Sequence, residues 1–489
     1  MTDSLAPQRN DVADTSPASH GFTDGELRAI GRAAATDAWS QGMTVHRPDG
    51  SVVPIPLVCE PQVLPRATLA SVAAEAKAIL SGSVKLARHL LRAGDPRDRE
   101  ALLGPFRGLE REALRKLFAG APCPAVLARV DFLVPEAGGA PKALELNATI
   151  PAMQAYADLA AHGWIRAAAA RRGLPPSAGD ALVNRCGSHM EALRETLVHC
   201  YRVRGGRREH PSIALVARPG DAQLAEQRRL AEHFRRRGHH AETLLPATCT
   251  PEEFDVPYRH VWAHRTPAEA PFACALLAPE SYVLANPVNG LLEAKALFAR
   301  LSECAEDERL AKRAGLDDRE RAAARALPWT RRLDAALVPR LVAERKSFVI
   351  KRNWDYGGKS VSLGAELAPE DWARRVRAAA AEREAGGFVV QERVFATRAP
   401  ATRITGPGAE ERGLLYRDIS TYTGLLDVAP GGSVVRAAAN PVVNILGGGG
   451  LAPVVPEDVL EALRAAEPAR ARRVNTRPPR TARRLAHGA

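Results

Sequence analysis

The chain has 489 residues, of which 46% are hydrophobic and 25% charged, and its formal net charge is +12. This composition is that of a globular protein, and the length allows two or three domains, because single cores rarely exceed about 250–300 residues. The sequence has no apolar run of about 18 residues, which excludes a membrane-spanning helix as a sequence-based expectation.

The N-terminal segment is polar and has no apolar stretch of the kind found in secretory signals, so we expect a disordered leader over 1–24. The seven cysteines form no C-x-x-C pair, which predicts neither a zinc site nor a disulfide framework. The cytoplasm is therefore the expected location.

The positive charge is concentrated at the C-terminus. Seven arginines and no acid lie in the last 20 residues, and the rest of the chain has a net charge of only +5. This pattern predicts a basic disordered tail over 466–489, and any nucleic-acid contact is expected there alone. Only nine of the 68 basic residues are lysines. Lysines beside glycines are therefore notable, because a compact ammonium suits phosphate groups.

Residues 25–207 are predicted to be mostly helical, with one β-hairpin. Apolar residues recur at helical spacing in three segments and in the part after the hairpin, namely 26–39, 68–94, 98–118 and 152–207. The hairpin consists of strand-like runs at 125–134 and 142–148, joined by the turn PEAGGAP.

Residues 208–300 have the pattern of an α/β domain. A strand in 211–220, an amphipathic helix ending at Gly238 and a strand in 239–246 form a βαβ unit, which predicts a parallel sheet. Further strands are expected at 259–265 and 281–287. The first loop lacks the spacing G-x-G-x-x-G, so no dinucleotide site is predicted.

Residues 301–465 are predicted to be α+β, because β-branched strands alternate with glycine turns. These strands fall within 346–364, 386–395 and 413–446.

The hairpin carries a candidate metal site. Arg129 and Asp131 alternate with apolar residues and therefore point to one face, as do Glu145 and Asn147 on the other strand. Pairing of the strands would bring three oxygen donors and one guanidinium together, which suits Mg²⁺. The alternative is a polar, solvent-facing hairpin side, although asparagine is uncommon in strands.

A second candidate is the segment VIKRNWDYGGKS. It places Lys351 at a strand end and Lys359 after the turn Gly357-Gly358, where backbone N–H groups can approach phosphate. The spacing is not that of a P-loop, and an ordinary glycine hairpin is the alternative.

Two further strand ends carry polar residues. Gln391 and Glu392 end an apolar strand and could meet an adenine edge and a ribose hydroxyl; the alternative is a strand that runs into solvent. Arg436 lies between apolar strand residues and could face a carboxylate or a phosphate, or else be a surface arginine with a buried stem.

Together these motifs resemble the ATP-grasp superfamily, in particular its circularly permuted branch of glutathionylspermidine-synthetase-like proteins. In that branch an R-x-D…E-x-N hairpin precedes a βαβ domain, and the lysine strand and a Gln-Glu hinge follow. Here RVDF…ELN at 129–147 precedes the lysine segment in the same way, and 283–303 resembles the stretch that leads into it. The resemblance covers about 55–455.

The resemblance implies a permuted ATP-grasp fold, α/β and α+β, with a pre-ATP-grasp-like domain at 208–300. It places the metal-binding half in 25–207 and the nucleotide-binding half in 301–465. The cofactors implied are ATP and Mg²⁺. The site residues implied are Asp131, Glu145 and Asn147 for Mg²⁺, Arg129 and Arg436 for catalysis, and Lys351, Lys359, Gly357, Gly358, Gln391, Glu392 and Val394 for the nucleotide.

The function implied is an ATP-dependent carboxylate–amine ligase that forms an amide bond through an acyl phosphate, with small-molecule or peptide substrates. The alternative is a non-catalytic ATP-grasp-like protein that binds a nucleotide or a peptide. The sequence departs from the family in the long spacing between Asp131 and Glu145, and in lacking both an N-terminal cysteine amidase and a recognisable substrate domain.

Overall fold

The computed structural model describes residues 21–47, 49–120, 126–355, 358, 360–428 and 431–466. Most of the expected leader and nearly all of the expected tail lie outside the described residues. No helix in the described part is long and apolar enough to span a membrane.

Fifteen α-helices lie in the described part of the chain. They are α1 Asp24–Ser40, α2 Arg66–Ala93, α3 Pro96–Leu103, α4 Gly108–Ala119, α5 Gln154–Arg171, α6 Pro176–Cys186, α7 His189–Val203, α8 Leu224–Arg236, α9 Ala273–Leu277, α10 Lys295–Glu303, α11 Glu308–Ala314, α12 Asp318–Ala326, α13 Val338–Ala343, α14 Pro369–Ala381 and α15 Glu457–Ala465.

The described strands belong to five sheets. They are β1 Thr44–His46, β2 Val52–Pro54, β3 Leu57–Val58, β4 Gln62–Leu64, β5 Leu127–Leu133, β6 Lys142–Asn147, β7 Ile213–Ala217, β8 Ala241–Leu244, β9 Val256–His260, β10 Thr330–Arg332, β11 Phe348–Arg352, β12 Ser362–Leu363, β13 Phe388–Glu392, β14 Arg398–Gly406, β15 Ala409–Gly424, β16 Ser433–Ala438, β17 Gly450–Ala452 and β18 Val454–Pro456.

The largest sheet has seven strands in the order β14-β3-β17-β16-β15-β5-β6. Its strand pairs are antiparallel except for β17 with β3. The predicted hairpin forms one edge of this sheet, as β5 and β6. Strands from both halves of the chain therefore form one continuous sheet.

Successive side chains of this sheet enter different hydrophobic cores, as strand geometry requires. Val130 of β5 and Val435 of β16 pack in the core that contains the apolar face of α2. Val434 and Tyr422 pack on the other side, in the core formed with α1 and α5. Polar residues of β5 that alternate with Val130 must therefore point away from α2.

A four-stranded antiparallel sheet, in the order β10-β13-β11-β12, lies against α14. Ile350 and Val390 pack on Trp372 of that helix. Because side chains alternate, Lys351 and Gln391 point to the opposite face, towards the hairpin.

The predicted βαβ unit is present. β7 pairs in parallel with β8 after α8 and also with β9. The strands expected at 259–265 and 281–287 are shorter than predicted: β9 ends at His260, and 281–287 contributes a single bridge at Ala285. The main chain turns away there, with a 3₁₀ turn at Ala263–Arg265 and a positive φ of 57° at Asn286.

Candidate functional site

The hairpin places its four polar residues on one face. In the register of β5 and β6, Asp131 is opposite Glu145 and Arg129 is opposite Asn147. The register shifts between Asp131 and Phe132, where Leu144 is the extra residue on β6. This β-bulge lets Ala143 and Leu146 both pack in the core while Glu145 turns to the opposite side.

These side chains line a cavity between the seven-stranded and the four-stranded sheets, here called the central cavity. Charged groups from both sheets and from the adjoining segments surround it. The charged lining residues are Arg129, Asp131, Glu145, Lys295, Lys351, Arg352, Asp355, Glu392, Arg393, Asp418 and Arg436.

Asp131 is the centre of a buried charge network. Arg129 donates from Nε to Oδ1 at 2.8 Å, and Arg436 donates from Nη2 to Oδ2 at 2.8 Å. The Nδ2 group of Asn147 donates to Oδ2 at 3.0 Å. Arg436 also bonds Asp418 on β15, with Nε at 3.0 Å from Oδ2. Both guanidinium groups are thereby fixed in orientation.

The network shifts the pKa values of its members in opposite directions. Burial acts to raise the pKa of Asp131, but the guanidinium groups of Arg129 and Arg436 outweigh it and hold that pKa well below its usual range. Burial raises the pKa of Asp418 despite the neighbouring Arg436. The two guanidinium groups therefore favour the charged form of Asp131 at the cavity wall.

Three side chains of the hairpin carry oxygen atoms of the kind that bind magnesium. Asp131, Glu145 and Asn147 offer hard oxygen atoms on one wall, and the Glu145 side chain is 36% exposed. The described residues contain no group of three or more His, Cys, Asp or Glu side chains placed to hold a metal. Two carboxylates and one amide instead suit Mg²⁺, which retains waters and takes ligands from substrate phosphates.

Lys351 reaches the central cavity from the opposite wall. It is 8% exposed and donates to Oε1 of Gln391 at 2.7 Å. Burial lowers the pKa of Lys351 to about 8, with Glu145 acting to raise it and Lys295 to lower it further. Gln391 also donates to the carbonyl of Leu144 at 3.3 Å, which connects the two sheets across the cavity.

The other predicted nucleotide residues divide into two groups. Glu392, Val394 and Gly358 line the central cavity. Gly357 and Lys359 lie outside the described residues. Gly358 has a φ of +71°, and a Cβ atom there would lie 2.5 Å from Cγ1 of Val442. This position therefore requires glycine.

Lys295 is a cavity residue that the motifs did not single out. Its Nζ donates to the carbonyl of Asp355 at 3.0 Å and lies 3.9 Å from Oε2 of Glu145. Two features of the sequence could have singled out Lys295 as a site residue: lysine is scarce in this chain, and Lys295 lies within the segment 283–303 that leads into the lysine strand. Asp418 carried no such signal, since it reaches the site only through the pairing of β15 with β5.

Two carboxylates, the buried Glu226 and the half-buried Glu293, hold the loop that follows β6. Glu293 accepts from the N–H of Ala148 at 2.7 Å, and Glu226 accepts from the N–H of Met153 at 2.9 Å. Met153 has a φ of +91°, an uncommon conformation for a residue with a side chain. The backbone beyond Asn147 is thus fixed by side chains from the 208–300 segment.

No protein-family model matches the chain, and no curated protein has a significantly similar sequence. Among solved structures, a glutathione synthetase-like effector from Globodera pallida, in its apo form, superposes with a TM-score of 0.54 at 12% sequence identity. The match covers 89% of this chain and 98% of that one. The two chains therefore share an overall fold.

At 12% identity, this likeness concerns the arrangement of the mixed α/β elements and carries no residue role from one chain to the other.

Proposed function

We propose that this chain is an ATP-dependent carboxylate–amine ligase with a circularly permuted ATP-grasp fold. The observation that carries the proposal is the central cavity, which has a carboxylate–amide set on one wall and lysines on the other. The glutathione synthetase-like fold supports it, because glutathione synthetase is itself a ligase. The permuted order is supported by the chain position of the hairpin, which precedes the Lys351 strand.

The proposed reaction has two steps. A carboxylate oxygen of the first substrate attacks the γ-phosphorus of ATP, the bond to the β-phosphate oxygen breaks, and ADP leaves. An amine nitrogen then attacks the carbonyl carbon of the acyl phosphate, phosphate leaves, and the nitrogen loses a proton. Neither step needs a nucleophile from the protein.

The residues of the cavity would position and stabilise the reacting groups. Arg129 and Arg436 are already fixed by carboxylates, so they would meet the negative charge of the transferred phosphoryl group without reorganisation. Lys351 and Lys295 would contact the other phosphates. A Mg²⁺ ion held by Asp131, Glu145 and Asn147 would neutralise phosphate charge.

One observation favours the second candidate, a non-catalytic nucleotide- or peptide-binding protein. Both oxygens of Asp131 already accept hydrogen bonds from guanidinium groups. A metal ion would have to share the Asp131 carboxylate, whose negative charge these arginines already compensate. If the metal bound weakly for this reason, the site would bind a nucleotide or a peptide without catalysing a reaction.

A screen for ADP release tests the proposal. Purified protein, ATP and Mg²⁺ are incubated with amino acids, polyamines and peptides, and Glu145→Gln is the metal-site variant. Glu136→Gln is the matched control, because Glu136 is exposed in the turn of the same hairpin.

We expect substrate-dependent ADP release in the wild type and in Glu136→Gln, and a loss of about 100-fold or more in Glu145→Gln. Nucleotide binding without ADP release under any condition would favour the second candidate. Equal turnover in Glu145→Gln and wild type would remove Glu145 from the metal site.

A further inference from the structure

One face of the C-terminal half of α2 carries four basic side chains. Lys85, Arg88, His89 and Arg92 follow the helical spacing i, i+3, i+4 and i+7, so they lie side by side. Together with Arg313 of α11 they line a hollow of about 620 Å³, here called the basic hollow. It lies outside the central cavity and shares no lining residue with it.

The basic hollow is lined by no acidic side chain in the described part of the chain. The charge of Lys85 is compensated by Glu320, since its Nζ lies 2.8 Å from Oε2 of that residue. No ion pair is present among the described residues for Arg88, Arg92 or Arg313.

Two of these arginines also have a structural role, because they cap the C-terminal end of α4. Arg88 and Arg92 donate to the last carbonyls of α4, those of Gly120 and Ala119, and so complement the negative end of that helix. Each uses a single Nη2 atom for this purpose. The side chain of Arg313 makes no hydrogen bond in the described structure, so the capping of α4 does not account for it.

The positive charges in the hollow act on one another. Burial lowers the pKa of His89, and the charges of Arg313 and Arg300 lower it further. Burial and the nearby Arg92 likewise lower the pKa of Arg88. A concave surface lined by one sign of charge concentrates its field and attracts ions of the opposite sign.

We infer that the basic hollow is a binding site for a small polyanion with more than one phosphate group. Guanidinium groups bind phosphate oxygens in pairs of parallel hydrogen bonds, and three of them converge here from two helices. The volume falls within the range of small-molecule sites, about 300–1,000 Å³. A concave site of this size favours a compact ligand over a nucleic-acid strand.

Calorimetric titration with inorganic pyrophosphate tests the inference, at constant ionic strength. The variants are Arg313→Gln and Arg92→Gln, and the matched control is Lys312→Gln. Lys312 adjoins Arg313 and its substitution removes the same charge, but its side chain is 70% exposed and it does not line the hollow. Lys351→Met removes a lysine of the central cavity, so it distinguishes pyrophosphate binding there from binding in the basic hollow. Far-ultraviolet circular dichroism checks that Arg92→Gln is folded.

In Lys351→Met, which lacks a phosphate-contacting lysine of the central cavity, we expect pyrophosphate still to bind in the basic hollow. Adding Lys312→Gln should leave this binding unchanged, and adding Arg313→Gln or Arg92→Gln should weaken it at least about tenfold. Absence of binding to the wild type would overturn the inference. So would unchanged affinity on adding Arg313→Gln to Lys351→Met, or binding that disappears in Lys351→Met. Capture of oligothymidylate that depends on Arg313, without pyrophosphate binding, would also overturn it and assign the surface to nucleic acid.

Discussion

Lys351 combines two properties that oppose each other in the free protein. It is buried at the wall of the central cavity, and it is the lysine that the proposed function needs in its charged form. Burial lowers its pKa to about 8, so part of the lysine is uncharged in mildly alkaline solution. A bound polyphosphate would stabilise the charged form and offset this effect.

This pKa makes the stability of the protein depend on pH. The unfolded chain keeps the Lys351 proton up to about pH 10.4, whereas the folded chain releases it near pH 8. Because the unfolded state then binds more protons, the free energy of unfolding rises with pH across this window, by at most about 3 kcal/mol.

We predict that this rise is absent in Lys351→Met, which has no titrating group. Urea unfolding of both proteins at several pH values from 7.5 to 10.5 measures it. Parallel pH profiles for the two proteins would show that the lysine is not buried as described.

The two aspartates of the charge network should differ in their effect on stability. Asp131 compensates two guanidinium groups, whereas Asp418 shares one of them with Asp131. We predict that Asp131→Asn lowers the free energy of unfolding by about 3–5 kcal/mol, because both arginines lose a buried counter-charge.

The loss in Asp418→Asn should be smaller, since Arg436 keeps Asp131 as a partner. Chemical denaturation of the two variants measures their free energies of unfolding. A larger loss in Asp418→Asn than in Asp131→Asn would contradict the prediction. Because a substitution of Asp131 is expected to destabilise the protein, Glu145→Gln is a better probe of metal binding than any Asp131 variant.

At the scale of elements, Asn353 joins three segments of the structure. It is fully buried beyond β11, and its side chain accepts from the N–H of Ala296 at 2.8 Å and donates to the carbonyls of Ala101 at 2.8 Å and Ala385 at 2.9 Å. The carbonyl of Asn353 also accepts from the N–H of Lys295 at 3.0 Å. The side chain therefore fixes the start of α10, where Lys295 enters the central cavity.

We predict that Asn353→Ala destabilises the protein by about 2–4 kcal/mol, because three buried backbone groups lose their partners. The control is Asn184→Ala, at an exposed position of α6. Thermal and urea unfolding of both variants measure the difference. Similar stability in the two variants would show that Asn353 does not join these segments.

How far the sequence could predict these elements depends on their length and on how local their contacts are. The hairpin of β5 and β6 was predictable, because two runs with a period of two flank a Pro/Gly turn. The register that brings Asp131 opposite Glu145 also depends on a β-bulge, which that pattern does not reveal. Strands β1 to β4 were not predicted, since two or three residues show no periodicity. The paired arrangement of Asp418 and Arg436 with Asp131 depends on strands about 300 residues apart in the chain, which no local pattern reveals.

At the scale of the whole molecule, the central cavity takes its charged lining from both halves of the chain, with Asp131 and Glu145 on one sheet and Lys351 on the other. Its volume of about 240 Å³ is just below the range of about 300–1,000 Å³ typical of small-molecule sites.

The most direct measurement of the central claim is calorimetric titration with a non-hydrolysable ATP analogue in excess Mg²⁺. The account predicts one molecule bound per wild-type chain, with affinity reduced about tenfold or more in Lys351→Met and retained in the Glu136→Gln control. Absence of binding to the wild type, or equal affinity in Lys351→Met, would contradict the assignment of the central cavity as a nucleotide site.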